Sequence, residues 1–379
     1  ILIVFSCSDK KQKHETRELE QPEIETQASD GAVRGVWLTN VASKALYSRE
    51  NIVKAVELCD SLNMNTIFVV TWNRATTTYP SQVVKNLTGV EIQPEFEGRD
   101  PLQEVIEEAH KRNIKVFAWF EFGFSSSYKE NGGIILEKKP EWSAIDVEGN
   151  LVKKNGFEWM NAFHPEVQDF ITSLVLEVVD NYDVDGIQGD DRLPAVPSQS
   201  GYDEYTVNLY KEQHNGNEPP KYYKDFEWVQ WRASLLNEYM KNLYQKVKQH
   251  DSTCIVSMAP SIYPWSKEEY LKDWPVWVNQ GYCDLVIPQL YRYKIDDYTF
   301  LLKNILDNQI VESKRHLFYP GILLQVDDYN PSPEFLTKMI KANREFGING
   351  EVYFFYEGIK KMPEVFLKQY EEKIAFPEL

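Results

Sequence analysis

The run Asp183-Val184-Asp185-Gly186-Ile187-Gln188-Gly189-Asp190-Asp191-Arg192 ends in two adjacent acids and a base, after residues that alternate as a strand does. Period-2 geometry puts Val184, Gly186, Gln188 and Asp190 on one face and Asp185, Ile187, Gly189 and Asp191 on the other. Ile187 belongs against a helix layer, so Asp190 is expected to point into a cavity. Asp191 then turns to the following loop, to Arg192 or to a bound hydroxyl, and Gly189 leaves room for a close approach. Glu121 closes a second such run, Phe117 to Glu121, and Glu357 a third, Tyr353 to Glu357. Carboxyls set across a cleft can cleave an acetal: a protonated one gives its proton to the leaving oxygen, while an ionised one attacks the anomeric carbon or activates water. Glu121, among aromatic neighbours that would raise its pKa by desolvation, is the expected acid. Asp190, near Arg192 or Arg74, is expected to stay ionised as nucleophile or base, with Glu357 as the reserve acid. Each acid also has a plainer reading, as a strand cap or as the partner of an arginine.

These residues need a frame that brings strand ends together. From Val33 onward, apolar runs rich in Val, Ile, Phe and Tyr alternate with segments of helical period. The strands are expected at Gly35–Asn40, Thr66–Thr71, Lys115–Glu121, Val184–Asp190, Cys254–Ala259, Leu285–Leu290, His316–Gly321 and Glu351–Tyr356. Helices are expected to start near Arg49, Pro101, Pro165, Glu227, Lys267, Asp297, Pro333 and Pro363, several of them with Pro in the first helical position. Eight strands each followed by a helix make a (β/α)8 barrel, a TIM barrel of the α/β class. The strand-to-helix loops are long at Trp72 to Arg99, Phe122 to His164 and Asp191 to Phe226, whereas the helix-to-strand turns are short. All three long loops leave the C-terminal face, where barrels keep their reactive groups.

Those loops are rich in aromatic residues, including Trp72, Tyr79, Phe122, Phe124, Tyr128, Trp142, Trp159, Tyr263, Trp265, Tyr291 and Tyr293. A flat ring with a polar rim suits the C–H face of a sugar, although any one ring could simply pin its loop. Trp37, Trp72, Arg74, Arg192, Trp265, Gln289, Tyr291 and Tyr356 are the residues expected to hold a carbohydrate substrate. A glycan-binding protein without catalysis would use the same rings and need no poised acids.

A formal charge of −17 repels phosphate backbones and excludes nucleic acid as a partner; no protein partner is expected either. The six histidines, at 14, 110, 164, 214, 250 and 316, are not clustered at strand ends, so no metal is expected. Without a G-x-S-x-G elbow, a Walker A loop or a G-x-G-x-x-G fingerprint, no nucleotide or other cofactor is expected. Cys59, Cys254 and Cys283 lie in apolar patterns and read as small buried hydrophobes.

The segments Arg34-Gly35-Val36-Trp37-Leu38-Thr39, Ala118 to Gly123, Asn161 to Val167, Asp183 to Arg192, Ala259-Pro260-Ser261 and Leu285 to Tyr291 resemble, in the same order, the glycosyl-hydrolase-like 10 family of bacterial barrel proteins. The resemblance implies a glycosidase acting on glycans, with cell-wall glycan strands as a substrate class. It carries Asp190 and Asp191 over unchanged. Many family members have Asn-Pro where this chain has Glu121-Phe122, so it implies no role for Glu121.

Ile1 to Cys7 reads as the end of an apolar run too short to span a bilayer, and Val4-Phe5-Ser6-Cys7 resembles a bacterial lipoprotein cleavage box. Residues 8–31 are polar and read as a disordered tether, which leaves 32–379 as the catalytic domain. The chain is therefore expected on the bacterial cell envelope, its membrane contact made only through a lipid on Cys7. Cys7→Ala is expected to move it from the membrane to the soluble envelope fraction, and unchanged retention on fractionation would refute the anchor.

Overall fold

The structure, a computed structural model, describes residues 31–379; the lipid site at Cys7 and residues 8–30 of the tether lie outside the described residues. Eight parallel strands form one curled sheet: β1 (Arg34–Leu38), β2 (Thr66–Val70), β3 (Lys115–Phe120), β4 (Gly186–Gly189), β5 (Ile255–Met258), β6 (Leu285–Val286), β7 (Gly321–Leu323) and β8 (Glu351–Phe354). Their order is β6-β5-β4-β3-β2-β1-β8-β7, so every consecutive pair except β6 and β7 is a neighbour, and β8 lies against β1. Parallel bridges Val286↔Phe318 and Gln289↔Gly321 join the two outer strands and close the barrel. The expected (β/α)8 architecture is the observed one.

The helices after the strands are α1 (Arg49–Ser61), α2 (Pro101–His110), α3 (Pro165–Asn181), α4 (Phe226–His250), α5 (Trp274–Gln280), α6 (Ile295–Asn308), α7 (Pro333–Glu345) and α8 (Pro363–Gln369). Local chemistry fixes their starts. Ser48, Asp100 and Ser332 each accept a hydrogen bond from a backbone N–H of the first turn, and Pro101, Pro165, Pro333 and Pro363 occupy first positions that need no donor. Inside the barrel, Trp37 stands at the centre of an aromatic stack, its ring 5.7 Å from Phe68, 6.4 Å from Trp119 and 6.0 Å from Phe354. Cys59, Cys254 and Cys283 are buried free thiols, as their apolar settings suggested.

Three elements differ from the sequence reading. The seventh strand lies later than His316–Gly321, because Glu312–Leu317 winds into a 3-10 turn and Pro320 offers no N–H to a ladder; Phe318 makes only an isolated bridge, and the regular strand starts at Gly321. The fifth helix is split into a short turn, Trp265–Tyr270, and α5, with Leu271 between them in the left-handed region at φ +57°. The loop from Phe122 to His164 carries its own antiparallel sheet, Ser125–Tyr128 with Phe157–Trp159 and Lys153–Lys154. Its strands are too short for periodicity to reveal.

The N-terminal end of the barrel is closed by one carboxylate. Glu351, fully buried, accepts from Arg344 Nη1 at 2.8 Å and Nη2 at 2.9 Å, from Asn343 at 2.8 Å, from the Tyr353 hydroxyl at 2.9 Å and from the Tyr370 hydroxyl. Burial opposes its charge, yet Arg344 and the other donors hold its pKa below the usual carboxylate range. Arg344→Met strands that charge and is expected to cost about 3 kcal/mol, the low end for a broken buried pair because Arg344 is partly exposed. Chemical denaturation measures this, and the double variant with Glu351→Gln is expected to lose less than the two singles together; equal stability of R344M and the parent would contradict it.

Candidate active site

At the opposite, C-terminal end, β3 and β4 deliver the acids that the sequence singled out. Gln188 faces the barrel axis, accepting from Trp37 Nε1 at 2.6 Å and donating to Ser257 Oγ at 3.0 Å. Asp190, two residues on, therefore points inward, as the alternation required. Gly189 is needed for a different reason from the one expected. A Cβ there would lie 2.6 Å from the Leu193 carbonyl oxygen and 2.6 Å from Met258 Sδ, so the close approach is made by the protein's own chain.

Arg192 gathers three acids. Its Nη2 lies 3.2 Å from Glu121 Oε1 and 3.8 Å from Asp190 Oδ2, its Nη1 lies 3.0 Å from Asp191 Oδ1, and its Nε donates to the Glu121 carbonyl oxygen at 3.0 Å. The guanidinium sits 4.6 Å from the Phe157 ring centroid, on the small sheet of the loop from Phe122 to His164. Two loops must meet closely to allow this. Gly123, at φ +51°, lies where a Cβ would fall 2.0 Å from the Arg192 carbonyl oxygen, and the Phe124 N–H donates to that oxygen at 3.0 Å. The Gly123 carbonyl in turn accepts from Trp72 Nε1 at 3.0 Å.

Each carboxylate has further partners. Asp190 Oδ1 accepts from Gln289 Nε2 at 2.8 Å and from the Asp191 N–H at 2.6 Å. Glu121 Oε2 accepts from Asn73 Nδ2 at 2.7 Å, and Asn73 also reaches Asn40 at 3.1 Å. Asn73 precedes a two-residue hairpin turn, Arg74-Ala75, with φ of +50° and +57°, the left-handed pair that a tight hairpin needs. That turn leaves Arg74 exposed and acting on Glu121. Burial raises the Glu121 pKa, as expected, with Asp191 adding to the rise and Arg192 and Arg74 opposing it. The setting of Asp190 works against the ionisation expected of it. Burial, Asp191 and Glu121 push its carboxyl well above the usual range, and Arg192 only partly opposes them because it sits closer to the other two acids.

The remaining expected residues divide. Gln289 touches Asp190, while Tyr291 is near all three acids, which, with burial, push its phenol well above 10. Trp265 is 42% exposed on the rim, its ring 5.4 Å from Tyr270. Trp37 and Trp72, buried to within 1%, are packing residues rather than open sugar platforms. Tyr356 is buried beside Cys59 of α1, in the helix layer. Glu357 stands apart in another sector of the mouth, held by Ser43 Oγ at 2.8 Å and Lys360 Nζ at 2.8 Å. The sequence reading missed Asn73, Phe157, Tyr270 and above all Lys272, whose buried ammonium donates to the Asp190 carbonyl oxygen. Nothing in the spacing of Tyr270-Leu271-Lys272-Asp273 marks that lysine, since only the left-handed Leu271 turns it inward.

A family model described as Glycosyl hydrolase-like 10 matches residues 32–319. The chain is 24% identical over 384 residues to the glycosyl hydrolase YngK of Bacillus subtilis, an alignment covering 88% of this chain and 70% of that protein. It is 26% identical over 318 residues to the glycosyl hydrolase DigH of Escherichia coli, covering 72% and 68%. Among solved structures, the glycoside hydrolase domain of PgaB (BpsB) from Bordetella bronchiseptica superposes with a TM-score of 0.67 at 13% identity, covering 91% of this chain and 99% of that domain. The α-L-fucosidase isoenzyme 2 of Paenibacillus thiaminolyticus gives 0.64 at 16% identity, covering 90% and 49%. At such identities the structural likeness bears on the fold alone.

The raised Asp190 pKa has a thermodynamic sign. An acid whose pKa folding raises contributes most below its unfolded value, about 4, and loses that contribution as pH climbs through the folded value. Asp190→Asn cannot ionise, so it is expected to melt close to the parent near pH 4 and at a higher temperature than the parent at pH 8. Thermal unfolding across that range checks this, and a parent as stable as the variant at pH 8 would show that the charge carries no penalty.

Proposed function

Because the chain belongs to the glycosyl hydrolase-like 10 family, we propose that it hydrolyses O-glycosidic bonds of a poly- or oligosaccharide by a two-carboxyl mechanism. Cell-wall glycan strands are the substrate class we assign to a domain tethered to the bacterial envelope through Cys7. The observation that carries the reading is the meeting of Glu121 and Asp190 at one nitrogen of Arg192, at the open end of the barrel. With contacts of 3.2 and 3.8 Å to that nitrogen, the two carboxyl oxygens are no more than about 7 Å apart, within the reach of paired glycosidase carboxyls.

The roles follow from hydrogen bonding. Asp190 Oδ1 already accepts twice, so its proton resides on Oδ2, which at 3.8 Å from the guanidinium meets no competing donor. Asp190 is therefore the proton donor to the leaving oxygen. Glu121, against Arg192 and Asn73, is the anionic partner that attacks the anomeric carbon or activates water, and Asp191 is fixed by Arg192 at the rim. This exchanges the two roles expected from sequence. Gln289, Tyr291, Arg74 and Trp265 would bind sugar hydroxyls and faces. The binding-only alternative loses support, because Trp37, Trp72 and Tyr356 are buried, and a sugar platform has no use for three acids gathered on buried cations.

Leaving-group dependence tests the assignment. Asp190→Asn is expected to lower hydrolysis of natural glycans by roughly 10²–10⁴-fold, while aryl glycosides with acidic leaving groups, which depart without a proton, keep their rate to within about tenfold. Glu121→Gln is expected to suppress both kinds alike. The reverse pattern would restore the original roles, and parental rates in both variants would remove the site from consideration.

A further inference from the structure

We propose that Lys272 sets the number of protons held by the Glu121–Asp190–Asp191 cluster at one, by supplying from a buried position the second of the two positive charges beside it. The inference rests on reading that cluster as the reacting carboxyls, but its test does not depend on turnover. Lys272 is 1% exposed and its ammonium meets the main-chain oxygen of Asp190 and none of the three carboxyls, so it is a positioning residue and not a catalytic one.

The placement is built in. Leu271, itself buried, takes a left-handed conformation at φ +57° that an unbranched loop would give to glycine or asparagine, and so turns the next side chain inward. Ser266 clamps the turn from both sides: its carbonyl accepts from the Lys272 N–H at 3.1 Å, and its hydroxyl donates to the Lys272 carbonyl at 3.0 Å. The ammonium then donates to the main-chain oxygen of Asp190, with the Trp277 ring centroid 5.8 Å away. The neighbouring Lys267 is already paired with Asp273 at 2.6 Å and does not serve the cluster.

Charge counting gives the consequence. Three carboxylates against Arg192 and Lys272 leave one negative charge in excess, and a buried excess charge is relieved most readily by binding a proton. One proton on a carboxyl makes the cluster neutral, and one protonated acid beside an ionised one is the state a two-carboxyl glycosidase requires. Without the lysine charge a second proton would be needed, leaving one ionised carboxyl where the parent has two, with Glu121 and Asp191 competing for Arg192. The other groups facing the cluster do not alter this count. Tyr270 and Tyr291 are phenols held neutral by burial and the nearby acids, Gln289 and Asn73 are uncharged, and Arg74 acts on Glu121 from an exposed position. Burial pulls the Lys272 ammonium down to about 7, against the pull of Asp191 and Asp190 and with a push from Arg192, so its charge is most complete on the acid side of neutrality.

The decisive experiment is a carbon-13 NMR titration of the three carboxyls in the substrate-free protein, assigned with their own amide variants. At pH 6 the parent is expected to hold one protonated carboxyl, Lys272→Arg one, and Lys272→Gln two. Glutamine keeps an N–H for the Asp190 carbonyl without the charge, so a purely structural hydrogen bond would leave the count at one in K272Q, and that result would overturn the proposal. A parent count other than one would overturn it as well, with no variant needed. Where a glycan is turned over, K272Q is expected to shift the acid limb of the pH profile upward by at least one unit, with K272R close to the parent. Hydrolysis with an unshifted limb would sink the lysine's role and leave the glycosidase reading standing, whereas a count of one rising to two in a protein that cleaves no glycan would do the opposite.

Discussion

One guanidinium holds the working end of this barrel together. Arg192 touches Glu121 from the third strand and Asp190 and Asp191 from the fourth, and without it three carboxylates would repel one another in a space from which water is largely excluded. Its position is set by backbone more than by side chains. The absence of a Cβ at Gly123 lets two loops touch, the Phe124 N–H ties the Arg192 carbonyl, and Trp72 braces the peptide of Gly123 from behind. The Phe157 ring then covers the flat face of the guanidinium, limiting the directions it can take.

The aromatic richness of the long loops acquires its meaning here. Most of these rings are mounting hardware. Trp72 packs edge-on against Phe122 and Phe170, Phe124 against Tyr239, and Trp142 against Phe170, so the loops are fastened to helices outside the barrel before any polar group is placed. Rigid loops matter because a carboxyl pair works only when its separation and orientation are held within fractions of an ångström.

The two ends of the barrel show one functional group, the carboxyl, under opposite rule. Glu351 is as buried as any acid in the protein, yet five hydrogen-bond donors, two of them on an arginine, keep it ionised and its pKa low. Asp190 receives two neutral donors at one oxygen, has two acidic neighbours, and shares its cation with them; its pKa goes up. Donor supply, not burial alone, decides the direction. The first end favours the charged carboxylate, and the second sets the cost of burial against it.

The barrel was legible in the sequence because its cause is repetitive. Eight short runs rich in Val, Ile, Phe and Tyr, helices of period 3.6 and Pro or Ser at helix starts are each local signals, and they agree. The inward aim of Asp190 was legible for the same reason, since alternation along one strand fixes a direction. Glu121 also stood out, as an acid at the end of an aromatic strand. What depended on other parts of the chain was not legible. The upward push on the Asp190 pKa depends on burial, Asp191, a shared Arg192 and Glu121, which lie on two strands and a loop. The burial of Trp37, Trp72 and Tyr356 depends on what covers them, and Glu357 falls to another sector of the mouth because Ser43 and Lys360 hold it there. Lys272 left no trace in composition or period. A single left-handed residue turns it inward from a loop 82 positions away from the carbonyl it meets, and only the folded chain brings the two together.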